Sequence, residues 1–247
     1  AFDMELYGAG ELRDLTVIGG SLTTLDLSRN NKLQNVIITE NNIRQLDVSC
    51  AGFDLRSLFL ASTQIVSMSL YKNTALQALS LANTLVTAPV NLSGQEDTVK
   101  SLSYKNCNIT SFGQGYSCPI NLIDLELTGN PNITSISIAD RGRFVKNLFA
   151  GDCPSLTSFT YPNQVYNNLR NVALYNTNNP LRATSGWVGQ DKIEVLNMQN
   201  AQMTKSIAWP SESKWINVSD NKMTADGSLN FRSCSKLEHI EIERCLV

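Results

Sequence analysis

The sequence predicts a solenoid in which short parallel strands stack coil upon coil, and two observations carry this prediction. An apolar triplet with the spacing Leu-x-x-Leu-x-Leu recurs along the chain, as in Leu22, Leu25 and Leu27. Asparagine or cysteine follows several of these triplets at a constant distance, as Asn30 does here. Self-similarity at a short, fixed period is typical of a chain whose repeats pack only on their neighbours.

The spacing of the triplets sets the length of one coil. Consecutive triplets are about 10 to 12 residues apart, so each coil contains two of them. Taking every second triplet, the coils start near residues 12, 33, 55, 76, 99, 122, 145, 169, 193, 213 and 237. We therefore predict coils of about 21 to 24 residues with two strand-like halves and little or no helix.

Each part of the triplet has a physical role. The alternating apolar pair predicts a short strand with one face turned inward, and the leading apolar residue fills the coil below it. The asparagine then ends the strand. Its amide can bond to backbone N–H and C=O groups that the turn would otherwise bury without partners.

Composition excludes several classes of function. The 247-residue chain is 42% hydrophobic and 17% charged, with a formal net charge of −2. Lysine and arginine are scattered, whereas nucleic-acid binding needs a basic stripe. The sequence shows no apolar run long enough to cross a bilayer, and no phosphate loop, nucleophile elbow or metal-ligand spacing. We therefore expect no cofactor, no nucleic-acid partner and no transmembrane segment.

The triplets resemble the repeats of leucine-rich-repeat proteins, and the resemblance covers residues 12–247. The Leu-Asp-Leu of 25–27 and the Leu-Asp-Val of 46–48 are similar to the short bacterial subclass called IRREKO. The stretch 153–162 is similar to the BspA-like bacterial surface repeats. These resemblances imply an exported bacterial binding protein of the cell surface or periplasm, whose leader is absent from this chain.

We expect one solenoid domain over residues 1–247, in which residues 1–11 lack the repeat and cap the first coil. Gly, Pro, Ser and Asn accumulate where the apolar spacing slips, which predicts irregular insertions near 86–98, 109–121, 178–192 and 223–235. Two segments within them, 88–100 and 178–192, are candidate contact loops. The alternative is drift in turns that contact no partner.

Cysteines replace asparagine in parts of the pattern. Cys107, Cys153 and Cys245 take the asparagine position, and Cys50 lies one residue from it. Because coils are about 5 Å apart, residues two coils apart are beyond disulfide reach, and we predict buried free thiols. Extended backbone likewise separates Cys234 from Cys245, whereas the pairing of Cys118 stays open.

Aromatic residues at outward strand positions are the candidate binding residues, against a background of small and polar side chains. The predicted patch consists of Phe149, Tyr175 and Trp215, with Phe59 on an earlier strand and Trp187 in an irregular segment. Exposed aromatic rings on a rigid sheet bury a large area on binding and lose little side-chain entropy. Under the alternative, inserted loops cover these rings and make them part of the core.

These features favour a non-enzymatic recognition module that binds a protein, with a glycan as the second ligand class. Two other functions stay open. A structural spacer or adhesin stalk would have no specific ligand, and a hydrolase would need a site in an inserted loop. His239, the only histidine, lies at an outward position with no evident catalytic partner. The sequence stops just after the last strand with no polar cap, and this open apolar end predicts either self-association through the C-terminal end or a cap lost by trimming.

Overall fold

The computed structural model describes residues 2–52, 54–113, 115, 117–139, 141–161, 168–178, 180–181, 187, 189–224 and 229–245. Its elements are sixteen strands and one 3-10 helix, Ser49–Ala51. The strands are β1 Phe2–Glu5, β2 Asp14–Ile18, β3 Leu22–Asp26, β4 Asn35–Thr39, β5 Ser57–Phe59, β6 Ala78–Ser80, β7 Ser101–Ser103, β8 Ser111–Phe112, β9 Asp124–Glu126, β10 Ser135–Ser137, β11 Asn147–Phe149, β12 Ser158–Thr160, β13 Asn171–Ala173, β14 Val195–Asn197, β15 Trp215–Asn217 and β16 His239–Glu241. No described helix is long and apolar enough to cross a membrane.

One parallel sheet of eleven strands runs along the molecule, in the order β2-β4-β5-β6-β7-β9-β11-β13-β14-β15-β16. Successive strands of this sheet begin 20 to 24 residues apart. Each strand therefore belongs to a new coil, and the chain returns to the same face once per coil. The predicted parallel solenoid is confirmed, and the spacing of its strands follows the spacing of the triplets.

The second half of the coil forms strands in only some coils. β8, β10 and β12 make a three-stranded parallel sheet, and β1 pairs with β3 at the N-terminal end. β8 lies within the segment 109–121 and pairs in register with β10. The first part of this segment is therefore a regular strand. The segment 86–98 also contributes to the core, since Val86, Val90 and Leu92 are buried.

The core is a stack of inward apolar residues, one from the middle of each strand. Nine of them are at most 1% exposed: Val36, Leu58, Leu79, Leu102, Leu125, Leu148, Val172, Leu196 and Ile216. They are partners in register between neighbouring strands, so each coil buries its apolar residue against the next. This packing explains why the pattern recurs, because a single coil could not bury its apolar face alone.

Inward asparagines satisfy the backbone where strands end. The side-chain amide of Asn130 donates to the carbonyl oxygens of Tyr104 and Leu127 at 2.8 and 2.7 Å. Its Oδ1 accepts from the N–H of Ile109 at 3.2 Å. One buried side chain thus links the main chain of neighbouring coils. We call the set of residues at this position the asparagine ladder.

Three cysteines of the asparagine ladder are buried, as predicted. Their thiols donate to main-chain carbonyls of the preceding coil: Cys107 to Leu81, Cys153 to Leu127 and Cys245 to Val218. Burial raises the pKa of the Cys153 thiol to about 11. A buried, protonated thiol is a poor nucleophile, so this cysteine has a structural role.

A left-handed residue follows each strand of the long sheet. Asn83, Asn106, Asn176 and Asn200 all have φ between +47° and +55°. The N–H of each donates to a carbonyl of the next coil. Asparagine tolerates this conformation better than most residues. This preference explains the recurrence of asparagine at a second, exposed position of the repeat.

The two ends of the stack differ. β1 pairs with β3, and the Asn30 amide donates to the carbonyls of Leu6 and Ala9, so the segment before β2 already packs as part of the stack. At the other end, β16 pairs with β15 alone among the described strands, and Ile242 is 43% exposed. Self-association through this end stays a prediction.

Candidate functional site

The outer face of the long sheet consists of aligned rows of side chains. The first row contains Asn35, Ser57, Ala78, Ser101, Asp124, Asn147, Asn171, Val195, Trp215 and His239. The second row contains Ile37, Phe59, Ser80, Ser103, Glu126, Phe149, Ala173, Asn197, Asn217 and Glu241. Small residues dominate on β5 to β7, whereas carboxylates, amides and a phenylalanine occupy β9 and β11. The chemistry of the face therefore changes half-way along the sheet.

The structure divides the predicted aromatic patch. Phe149 lies in the second row on β11, and Trp215 lies in the first row on β15, with β13 and β14 between them. At about 4.8 Å per strand, the two residues are roughly 14 Å apart across the sheet. Trp215 instead lies in register with Val195 and stacks parallel to His239, with ring centroids 6.4 Å apart. Phe149 and Trp215 do not form one contact surface.

Two of the predicted binding residues are exposed phenylalanines. Phe59 and Phe149 are 37% and 36% exposed, respectively. Phe59 is in the second row among small neighbours, since its partner on β6 is Ser80. Phe149 has Glu126 on one side and Ala173 on the other. Only Phe149 therefore adjoins a charged group in its own row.

Trp187 belongs to the core, so the expectation that it binds a partner is wrong. Its side chain is 1% exposed and packs against Phe159 and Tyr161, with centroid distances of 5.9 and 5.6 Å. The backbone N–H of Trp187 donates to the carbonyl of Ala208, which fixes the segment to the next coil. Trp187 is therefore a core residue of its irregular segment. Half of the remaining candidate contact loop, 179, 182–186 and 188, lies outside the described residues.

Tyr175 crosses from its own coil onto the preceding one. A Cβ placed on Gly151 would lie 2.2 Å from both Cε1 and Cζ of Tyr175, so the ring rests directly on the glycine backbone. Gly151 follows β11 as Tyr175 follows β13, each by two residues. The absence of a side chain at Gly151 thus creates the space for the ring. Gly151 is itself two residues after Phe149, so the Tyr175 ring lies over the segment that directly follows β11.

Two carboxylates, those of Glu126 and Asp152, lie near the aromatic residues Phe149 and Tyr175. Glu126 Oε1 accepts from the N–H of Thr128 at 2.9 Å, and Asp152 Oδ1 accepts from the Asn176 amide at 2.6 Å. These neutral donors fix both side chains without neutralising their charge. Within the described part of the chain, neither carboxylate forms an ion pair with lysine or arginine. We call Glu126, Phe149, Asp152 and Tyr175 the central patch.

The surroundings of Tyr175 change the pKa of its hydroxyl. Partial burial raises the pKa of its hydroxyl, and the negative charges of Asp152 and Glu126 raise it further. A hydrogen bond to the Thr128 side chain acts in the opposite direction. Both carboxylates are therefore close enough to the ring hydroxyl to influence its charge. Glu126, Asp152 and Tyr175 therefore interact electrostatically within the central patch.

Catalytic arrangements have little support in the described residues. Asp26 and Asp47 line a cavity of about 420 Å³ on the other half of the coils. Hydrogen bonds from Ser28 and Ser49, respectively, lower the pKa of both carboxyls. Acid–base hydrolysis requires one carboxyl with a raised pKa, which this pair lacks. No described group of three or more His, Cys, Asp or Glu could hold a metal ion.

The sequence patterns missed Glu126, Asp152 and Gly151 as members of a site. Glu126 is one of several polar residues in its row, and no sequence pattern distinguishes Asp152 from other polar residues that follow a strand. The available signal was Gly151, a glycine at an outward position one coil before a tyrosine. Such a pair predicts that the tyrosine ring covers the glycine, provided that the register between the coils is known.

Comparison with solved structures supports the fold. An internalin, InlF of Listeria monocytogenes str. 4b F2365, matches over 93% of this chain and 86% of its own, with 16% identity and a TM-score of 0.52. The functional domain of InlJ from Listeria monocytogenes, which includes a cysteine ladder, matches over 91% of this chain with 14% identity and a TM-score of 0.51. The fold is that of a leucine-rich-repeat protein. No family model and no curated protein matches the sequence.

A third solved structure has a similar fold. TLR13, in a complex with ssRNA13, matches over 96% of this chain with 18% identity and a TM-score of 0.50. The chain spans 54% of the InlJ domain and 40% of the TLR13 chain. At these identities the likeness concerns the fold. The IRREKO and BspA-like subclasses stay predictions from the repeat sequence.

Proposed function

We propose that this leucine-rich-repeat chain is a recognition module that binds a protein through the central patch. The observation that carries the proposal is the exposed Phe149 together with a Tyr175 ring held in place over Gly151, two residues after Phe149. A ring that is already fixed loses little conformational freedom when a partner covers it. Exposed aromatic anchors of this kind contribute a large share of the binding energy at many protein interfaces.

The surroundings of the central patch favour a protein over the other ligand classes. The carboxylates of Glu126 and Asp152 would repel the phosphates of a nucleic acid. A spacer or stalk would not need a concentration of fixed aromatic and charged groups at one place on its face. The internalin fold neighbours and the repeat resemblance support an exported bacterial protein acting at the cell surface or in the periplasm. A glycan carried by the partner is the alternative ligand.

The variant Phe149→Ala with Tyr175→Ala tests this proposal. We expect it to lose at least about 10-fold in affinity for a partner captured on the immobilised wild-type chain, because hot-spot aromatics contribute about 2 kcal/mol or more. The partner is identified by mass spectrometry, and its affinity is then measured by surface plasmon resonance with purified components.

The matched control is Phe59→Ala, which removes a similarly exposed phenylalanine from the same row, four strands away. It should retain the wild-type affinity. Equal binding by the double variant and the wild type would show that the central patch is not the binding surface. Loss of binding after enzymatic deglycosylation of the partner would identify a glycan as the ligand instead.

A further inference from the structure

The carboxylates of the central patch have no lysine or arginine partner among the described residues, in contrast to several other acidic residues of the chain. Glu11, Glu96, Glu194 and Asp220 each form an ion pair with a lysine or arginine at 2.5 to 2.7 Å. The carboxylates of the central patch instead bond to neutral donors: Glu126 to the Thr128 N–H, and Asp152 to the Asn176 amide and the Tyr175 hydroxyl. Two negative charges therefore remain uncompensated on the outer face of the sheet.

The carboxylates of the central patch lie close to its aromatic residues. Glu126 accepts through Oε1 from the Thr128 N–H, and Asp152 accepts through Oδ1 from the Asn176 amide. The Glu126 side chain lies in register with Phe149, and both carboxylates act on the Tyr175 hydroxyl. The carboxylates of Glu126 and Asp152 thus lie near the aromatic residues Phe149 and Tyr175.

The first row extends this negative region. Asp124 lies two residues before Glu126 on β9 and accepts from the Asn147 amide at 2.6 Å. Asn147 in turn accepts from the Asn171 amide at 2.6 Å. The chain of amides orders the side chains across β9, β11 and β13 without adding positive charge. A third carboxylate therefore borders the central patch.

On the basis of the proposed protein-binding function, we propose that the partner places a lysine or arginine side chain in the central patch, between the Glu126 carboxylate and the rings of Phe149 and Tyr175. A cation is the group that both features recognise, because it forms charge-assisted hydrogen bonds with carboxylates and is attracted to the faces of aromatic rings. An anionic or purely apolar partner group would leave the carboxylates desolvated without compensation.

The fixed position of the Tyr175 ring also favours binding of a cation. A cation between a carboxylate and a ring loses part of its hydration, and a ring that needed to move would add an entropic cost. Tyr175 is held over Gly151 before any partner arrives. The Phe149 ring is flanked by Ala173, whose small side chain leaves space beside it. A long, straight side chain fits this space better than a bulky one.

The experiment uses two peptides in place of the unidentified partner. One is tetralysine amide, and the other is the same peptide with every lysine acetylated, which keeps the length and removes the charge. Binding to the full 247-residue chain is followed by NMR chemical shifts of the Phe149 and Gly151 amides at low ionic strength. We expect tetralysine to shift these amides and to bind at least about 5-fold more tightly than its acetylated form.

Two variants test which groups are responsible. Glu126→Gln keeps an acceptor for the Thr128 N–H but loses the charge, and Phe149→Ala removes the ring. Each should weaken tetralysine binding by about 3-fold. Asp14→Asn is the matched control, because Asp14 lies on the same face and accepts from the Asn35 amide at 2.6 Å, far from the central patch. It should bind as the wild type does.

Two outcomes would overturn the inference. Equal binding of both peptides would show that charge is not recognised, while the protein-binding proposal for the central patch would stand. An equal loss in Asp14→Asn and Glu126→Gln, with no loss in Phe149→Ala, would show general attraction to an acidic surface without a site. Loss of partner binding in the double aromatic variant tests the proposed function separately.

Discussion

Replacing Asn130 by alanine is expected to lower the free energy of unfolding by about 3 to 5 kcal/mol. The substitution leaves the carbonyl of Tyr104 and the N–H of Ile109 without the partners that they have in the native structure. Both groups lie in the interior, where Tyr104, Ile109 and Asn130 are fully buried. Water cannot replace the lost bonds unless it enters the cavity left by the amide.

Asn130→Cys is the matched control, because cysteine occupies this position in the neighbouring coils at Cys107 and Cys153. A thiol can still donate to a carbonyl, although it cannot satisfy the Ile109 N–H. We expect it to destabilise the protein by roughly half as much as alanine. Urea unfolding followed by tryptophan fluorescence measures both changes. A loss below about 1 kcal/mol for Asn130→Ala would contradict the structural role of the ladder.

Gly113→Ala is expected to lower the free energy of unfolding by about 3 kcal/mol. Gly113 has φ +96°, a conformation that residues with a side chain rarely adopt. An added Cβ would lie 1.6 Å from the backbone carbonyl oxygen of Ser137. Because the obstacle is backbone in β10, no side-chain rotation relieves the clash. The second-face sheet of β8, β10 and β12 should loosen first.

Hydrogen exchange locates this effect. Faster exchange of the amides of β10 and β12, with little change in the long sheet, is the expected pattern. Gly8→Ala provides the control, because nothing lies within 4 Å of a Cβ added there and the residue is exposed. It should change stability by less than about 0.5 kcal/mol. Similar results for the two glycine variants would show that the close approach at Gly113 is not a constraint.

The stack of coils could be predicted from the sequence because each coil repeats the same local rule. Leu58, Leu79 and Leu102 recur at one position, and burial of each requires a neighbour of the same kind. The ladder followed from the same rule, since an inward amide such as Asn130 has a definite backbone role. Periodic features of this kind depend on distances within one coil, which the sequence shows directly.

The site could be predicted only in part, because its geometry depends on register between coils. The sequence indicated Phe149 and Tyr175 as outward aromatics but not that the Tyr175 ring reaches back over Gly151. It also grouped Trp215 with them, whereas Trp215 lies three strands from β11. Trp187 lies in a segment without the repeat pattern, so no periodicity indicated that its ring turns inward. The positions of the Tyr175 and Trp187 rings therefore could not be predicted from the repeat pattern alone.

Hydroxyl-radical footprinting of the chain with and without its captured partner tests most directly whether the outer face of the long sheet is the recognition surface. The account predicts that Phe149 and Tyr175 become protected from oxidation, whereas Tyr71, 66% exposed on the other half of its coil, reacts as before. Protection of Tyr71 with unchanged oxidation of Phe149 and Tyr175 would contradict it.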